Sequence, residues 1–361
     1  MSRPPIDNRY NRHMSLTLLA PVALDLSIVE MTRHGTQAPH LERLLATAQM
    51  SRLEATPERW LCAQLGIAVG AEPPVAALRL AAEAAPAPDP REGYWLCADP
   101  VVTTLGIDMV RIDGMATDLT SIVAEAMIRD LNAVLAAEGV ELFAPHPSRW
   151  YVRAAGVQQL TTTALWRAIG GSMLSALPRG ADGPAWRTRL NEAQMLLHSH
   201  PANAVDESGG QRPAGSVWWW GGGAWPEFGP PIVDMVHGGP AWLRSACIAN
   251  DIPFDRPPAE TARHFRTDSP RTLFVLEDDW ETAAATPDVL TRWDTRWFAP
   301  LSAALDSGAV AGATLLFPWD DGLLQCELRR MPQAPAWRRW LGIDRPAAVP
   351  PLVATLEAFL R

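Results

Sequence analysis

Asn191-Glu-Ala-Gln-Met-Leu-Leu-His-Ser-His-Pro-Ala-Asn203, followed by Ser216-Val-Trp-Trp-Trp-Gly-Gly-Gly223, is the stretch from which the chain is best read. Trp186, Leu190, Ala193 and Leu197 recur at core-facing helical spacing. Asn191, Gln194 and His198 fall at i, i+3 and i+7 and share a second, polar face. His198 and His200 are two apart and point to different sides of a helix, unlike the i, i+4 pair of zinc helices. Pro201 ends the helix. Ser216 to Trp220 then reads as a strand running into a triple-glycine turn, whose backbone N–H groups can approach a ligand as an anion nest. Tight turns also need glycine when no ligand is present. The candidate ligand-binding set is Asn191, Gln194, His198, His200, Asn203, Ser216, Trp218, Trp220, Gly221, Gly222 and Gly223, a neutral surface suited to a small polar or anionic ligand. No residue is assigned a catalytic or metal-binding role.

Before this stretch, Leu41 to Ala48 and Pro57 to Leu65 have helical spacing, the second with Thr56 as N-cap. Ala82 to Glu92 is an Ala/Pro-rich connection and a candidate boundary. Tyr94 onward reads as a strand interrupted by Pro100, and Met109 to Gly114 as a strand entering a glycine turn. A helix opening near Asp118 and running to Gly139, then strands Val140 to Ala144 and Trp150 to Ala154, complete a β-β-α-β-β pattern over about Arg91 to Ala155. After it, Pro240 to Asn250 and Val289 to Leu305 are helical, while Thr272 to Leu276 and Ala313 to Phe317 are wholly apolar strands. These are the marks of a parallel α/β sheet. Pro351 to Leu360 forms a final helix.

The composition agrees with a globular α/β protein. Of 361 residues, 48% are hydrophobic and 20% charged, enough to bury a sizeable core. A net charge of −9 with no basic run argues against a phosphate-backbone binder, and we expect no nucleic-acid partner. Cys62, Cys97, Cys247 and Cys326 lack any C-x-x-C pairing and read as buried thiols, and most of the 16 tryptophans read as structural. Leu16 to Leu26 contains Pro21 and Asp25 and is shorter than the ~20 residues of a membrane span. Arg3, Arg9 and Arg12 ahead of it, with Ala20 to Ala23 loosely like a cleavage site, set a secretory signal against a buried first strand. We expect the strand, with Met14 a natural start of the folded part, a cytoplasmic location and no membrane association.

The run from His200-Pro-Ala-Asn203 to Trp218-Trp-Trp-Gly-Gly-Gly223 resembles the signature of bacterial RpfE-type regulatory proteins, a phosphoglycerate-mutase-like family. More distantly, it resembles the Trp-x-Trp-Gly-x-Gly stretch of archaeal-type cofactor-independent phosphoglycerate mutases of the alkaline phosphatase superfamily. Tyr94 to Val101 and Arg149 to Ala154 look like bounding strands of the domain inserted in those mutases, and the Trp-Gly run like the return to their metal-binding core. The resemblance implies a reduced alkaline-phosphatase-like α/β core carrying an α+β (ββαββ) module. Residues 14–90 and 166–361 would form the core, and 91–165 the module.

It also implies a two-metal phosphoryl-transfer site, whose ligands can be sought. Residues 1–90 contain no Asp-Gly-x-x-Asp motif, and no histidine follows His264. Glu277-Asp278-Asp279 and Asp320-Asp321 follow the two apolar strands. Carboxylates alone can hold magnesium, but they are not the His and carboxylate mixture such sites use. Asp206 stands where the family pattern has Arg, and Gly215 where it has Asn. A carboxylate in the Arg position repels phosphate.

A rival signal is Arg33-His34-Gly35, which resembles the Arg-His-Gly motif of histidine phosphatases. No His-Asp or His-Ala-Glu supplies the second catalytic histidine. Neither a G-x-S-x-G elbow nor a dinucleotide or P-loop fingerprint is present. The expectation is a catalytically degenerate mutase-like protein that binds a small polar or phosphorylated ligand, with no cofactor. The alternative is an active phosphotransferase: a metal-dependent phosphomutase or phosphatase, with a divalent metal at the carboxylates, or a histidine phosphatase using Arg33 and His34.

Overall fold

The computed structural model describes residues 16–21, 38–84, 86–106, 109–203, 214–257, 265, 271–276, 287–319, 322–330, 352, 354, 355 and 359. The first half runs β1 (Leu16–Leu19), α1 (Pro39–Leu45), β2 (Gln49–Leu53), α2 (Pro57–Gln64), α3 (Val75–Leu80), β3 (Tyr94–Leu105), β4 (Val110–Met115), α4 (Ser121–Leu135), β5 (Val140–His146) and β6 (Arg149–Ala154). The second half runs α5 (Leu165–Ala168), α6 (Gly183–Ser199), β7 (Ser216–Gly223), β8 (Met235–His237), α7 (Ala241–Ala249), β9 (Phe254–Asp255), β10 (Thr272–Val275), α8 (Pro287–Trp293), α9 (Ala299–Ser307), β11 (Gly312–Trp319) and β12 (Gly322–Arg329).

Seven strands form the larger sheet in the order β2-β12-β11-β1-β10-β8-β9. β1 runs parallel to both β10 and β11, β8 to β10, and β9 to β8. β12 and β2 extend one edge antiparallel. Both faces are covered, so β1 and β10 are buried along their whole length. Leu19, Val275 and Leu316 pack in one cluster with Trp242 and Ala246 of α7. Leu18, Phe274 and Leu315 pack in a second cluster with Leu44 of α1, Trp293 of α8 and Leu301 of α9. Helices on opposite faces make the sheet doubly wound.

The smaller, five-stranded sheet has the order β4-β3-β6-β5, with β7 paired antiparallel to β3 on the other side. This corrects three expectations. β7 adds to the smaller sheet and does not return the chain to the larger one. β3 runs unbroken through Pro100, because that residue falls between Cys97, the last paired with β6, and Val101, the first paired with β4. No ladder donor is needed there, and the Pro100 carbonyl accepts from Ala116 N at 2.9 Å. β4 likewise continues through Gly114 to Met115.

Local signals place the helices. Thr56 Oγ1 accepts from Arg59 N (3.3 Å) at the start of α2, and Thr120 Oγ1 from Val123 N (3.3 Å) at the start of α4. Among the described residues no helix is long and apolar enough to cross a membrane.

Candidate functional site

Helix α6 buries Trp186, Leu190, Ala193 and Leu197 and leaves Asn191 and His198 exposed. Gln194, half-buried, directs Nε2 to Met173 Sδ at 3.3 Å. His200 is buried beyond the helix end. Its Nδ1 accepts the Ala202 N–H (3.2 Å), so Nε2 carries the proton facing Asp130 Oδ2 at 3.2 Å. Asn203 donates to the carbonyl oxygens of Leu197 (2.8 Å) and Ala214 (2.9 Å) and accepts from Ala214 N (2.9 Å), tying the end of α6 to the start of β7.

The remaining predicted ligand residues face inward. Ser216 bonds its hydroxyl to the Val217 carbonyl (3.0 Å), Trp218 donates to the Thr163 carbonyl (2.9 Å), and Trp220 donates to Asp99 Oδ2 (2.8 Å). Gly221 to Gly223 are strand residues, not a turn, and close packing explains them. A Cβ on Gly221 would stand 2.9 Å from Val75 Cβ, on Gly222 2.6 Å from Tyr94 Oη, and on Gly223 2.6 Å from Pro74 Cβ. Gly222 N–H does meet a carboxyl group, the chain's own Glu72, at 3.0 Å. The structure therefore brings Asn203, Ser216, Trp218, Trp220 and the glycines together as internal ties, and leaves Asn191 and His198 apart on the surface. Gly215 has its own packing reason, since a Cβ there would lie 2.0 Å from Thr103 Oγ1.

A buried ionic cluster behind Trp220 escaped the sequence reading. Arg79 of α3 grips Asp99 of β3 through two hydrogen bonds, 2.9 and 2.6 Å, and donates to Tyr151 Oη at 3.1 Å. Its guanidinium lies 4.8 Å from the Tyr151 ring centre and 5.4 Å from that of Trp220. Tyr151 in turn donates to Glu83 Oε1 (2.6 Å), which also takes Arg149 (2.8 Å). Glu83 is held below the ordinary carboxylate range because these hydrogen bonds together outweigh its desolvation, the largest single influence on it. A signal was present: an Arg inside Val75–Leu80 and an Asp inside Tyr94 to Val102, both otherwise apolar runs, demand partners.

The topology marks a second place. From β8 the chain crosses by α7 to β9, whereas from β10 it crosses by α8 and α9 in the opposite direction to β11. Adjacent β8 and β10 thus flank a topological switch point, outside whose carboxyl ends open α/β sheets bind ligands. His237 ends β8, buried, its ring stacked on Phe274 of β10 at 4.7 Å. Gly238 and Gly239, at φ +76° and +104°, turn the chain into α7. A Cβ on Gly238 would meet Val275 O at 2.4 Å, and one on Gly239 would meet Leu243 Cδ2 at 2.6 Å. Among the described residues no group of three or more His, Cys, Asp or Glu is placed to hold a metal. Glu277 to Asp279, Asp320, Asp321, Arg33, His34 and Asp206 lie outside the described residues.

These features define a mixed α/β protein with a doubly wound sheet and a second antiparallel sheet. No family model matches the chain. A stretch of 119 residues, 32% of the chain, is 30% identical to the 2,3-bisphosphoglycerate-independent phosphoglycerate mutases of Methanosarcina mazei and Methanosarcina acetivorans, a weak homology that spans 30% of the length of each. Among solved structures, a cofactor-independent phosphoglycerate mutase from Thermoplasma acidophilum aligns over 87% of this chain and 90% of its own at 13% identity, TM-score 0.37. The PH0037 protein from Pyrococcus horikoshii aligns over 88% of both chains at 11% identity, TM-score 0.43.

Proposed function

We propose that the chain is a phosphoglycerate-mutase-like protein on a reduced alkaline-phosphatase-like core, acting as a binding or regulatory protein for a small polar or anionic ligand and not as a phosphotransferase. The observation that carries this reading is the Glu72 carboxyl group on Gly222 N–H, which occupies a backbone donor of the signature segment. The sequence supports it, with no Asp-Gly-x-x-Asp motif in residues 1–90 and no histidine after His264. The RpfE-type resemblance points to regulation. The ligand's place is the carboxyl edge of the parallel strands at β8 and β10, with the Asn191 to Gly223 segment as the buttress holding the smaller sheet together.

A second reading rests on one fact of sequence: Glu277-Asp278-Asp279 follows β10 after Leu276, and Asp320-Asp321 directly follows β11, the two strands that flank β1. A single assay separates the readings. Bound divalent metal is measured, and phosphate release from p-nitrophenyl phosphate and interconversion of phosphoglycerates are followed with Mg²⁺, Mn²⁺ or Zn²⁺. We expect substoichiometric metal and no turnover. Turnover abolished by Asp279→Ala or Asp321→Ala overturns the proposal in favour of a metal-dependent enzyme. Turnover lost in His34→Ala and indifferent to chelator overturns it in favour of a histidine phosphatase.

A further inference from the structure

Glu72 is buried in the seam between α3, β7 and residues 158–163. Its carboxylate accepts from the Thr162 backbone N–H, from the Thr162 hydroxyl at 3.0 Å and from Gly222 N–H at 3.0 Å. Thr162 Oγ1 also receives Gly221 N–H at 3.1 Å, so one side chain is joined to two successive amides of β7 directly or through a single hydroxyl. No ion pair reaches Glu72 among the described residues. The cation whose field it feels, Arg59 of α2, donates instead to the Gly70 and Ala71 carbonyl oxygens at 3.4 and 2.7 Å.

Two other titratable groups, Tyr94 and Asp182, lie around the seam. Tyr94 of β3 faces the same spot, since a Cβ on Gly222 would lie 2.6 Å from Tyr94 Oη and 3.0 Å from Glu72 Oε2. Asp182, in the turn before α6, accepts from Gln159 N at 2.6 Å and adds negative field at Tyr94. Pro74 and Val75 close the β7 side of the seam with carbon.

We propose that Glu72 is a proton-operated latch: neutral, it holds β7 against α3 and the 158–163 segment, and on ionisation that seam opens more readily. A protonated carboxyl keeps acceptor capacity for the Thr162 and Gly222 donors, whereas the ionised form adds a charge that no bonded cation compensates. Burial, the largest influence, accordingly lifts the Glu72 pKa to about 7, against the lowering effect of the Thr162 and Gly222 hydrogen bonds and the Arg59 field. Opening hydrates the group and returns it to its ordinary 4.5, so opening gains ground as pH rises from about 4.5 to 7 and levels off above that.

Hydrogen exchange of the intact protein, corrected for intrinsic amide chemistry, reads this directly. Between pH 5 and pH 8 the protection of amides in 216–223 and at Thr162 should fall roughly seventyfold, while that of α4 stays level. Glu72→Gln should make the 216–223 protection flat with pH. Protection in the wild-type protein that does not change with pH, or that falls equally in α4, overturns the latch, as does a Glu72→Gln variant with the wild-type slope. The wild-type protein also answers without any variant: a ¹³C-labelled Glu72 carboxyl that titrates near 4.5 overturns the proposal, and one that titrates near 7 supports it.

Discussion

At the scale of single residues, the decisive positions are charges that burial has stripped of water. Arg79 and Asp99 are 1% and 0% exposed, so neither can be left alone. Truncating Arg79→Ala leaves the Asp99 carboxylate with Trp220 Nε1 as its remaining side-chain donor, a loss of about 3–5 kcal/mol in urea unfolding. Arg79→Ala with Asp99→Ala should cost clearly less than the two single losses added, because the second change removes the stranded charge. Additive losses would show that the pair is not coupled. Glu72 has the opposite sign of influence on overall stability. Its folded pKa is raised, so its contribution is fully present below about 4.5 and is lost as pH rises to about 7, roughly 3 kcal/mol in all. Urea midpoints of wild type and Glu72→Gln should therefore diverge with pH across that window; parallel curves would mean that Glu72 does not titrate there.

Among the elements, those whose signals are local were legible. Helix α2 starts after Thr56, and α6 shows its buried stripe in the spacing of Trp186, Leu190, Ala193 and Leu197. Strands that exist through distant partners were not. β2, Gln49 to Leu53, is largely exposed and polar and is a strand because β12 pairs with it, while β12 follows β11 across a two-residue connection that reads as an acidic strand end. The triple glycine was misread for the same reason: sequence shows that a Cβ is missing but not what fills the space, here Val75, Tyr94 and Pro74. Helix α1 shows how far such dependence extends. Its N-cap, Ala38, offers no side-chain acceptor, and the free N–H groups of His40 (3.3 Å) and Leu41 (2.7 Å) go to the Asp294 carboxylate beyond α8. Asp294→Ala should cost about 1–2 kcal/mol, comparable to losing a local cap. The exposed Arg43–Asp306 pair linking α1 to the same region should be worth well under 1 kcal/mol, so Asp306→Ala is the control.

Across the whole molecule, the two sheets share one hydrophobic cluster. Leu96 of β3, Trp150 of β6 and Trp218 of β7 belong to the same buried group as Leu61 of α2, Val236 of β8, Trp242 of α7 and Val275 of β10. The smaller sheet therefore has no separate core to retain if the larger one melts, and α3, lying against β7, β3 and α7, bridges the two. One consequence is a single cooperative transition: far-UV circular dichroism, which averages over both sheets, and tryptophan fluorescence should melt at the same temperature. Trp218 tests it, being 1% exposed within the shared cluster and bonded through Nε1 to the Thr163 carbonyl. Trp218→Ala removes a large side chain from a site walled by other core residues and should cost about 3–5 kcal/mol. If the cluster couples the sheets, that loss lowers the melting temperature by both probes equally. A variant in which fluorescence melts early while circular dichroism keeps its wild-type midpoint would mean that β7 and its sheet unfold independently of the parallel core.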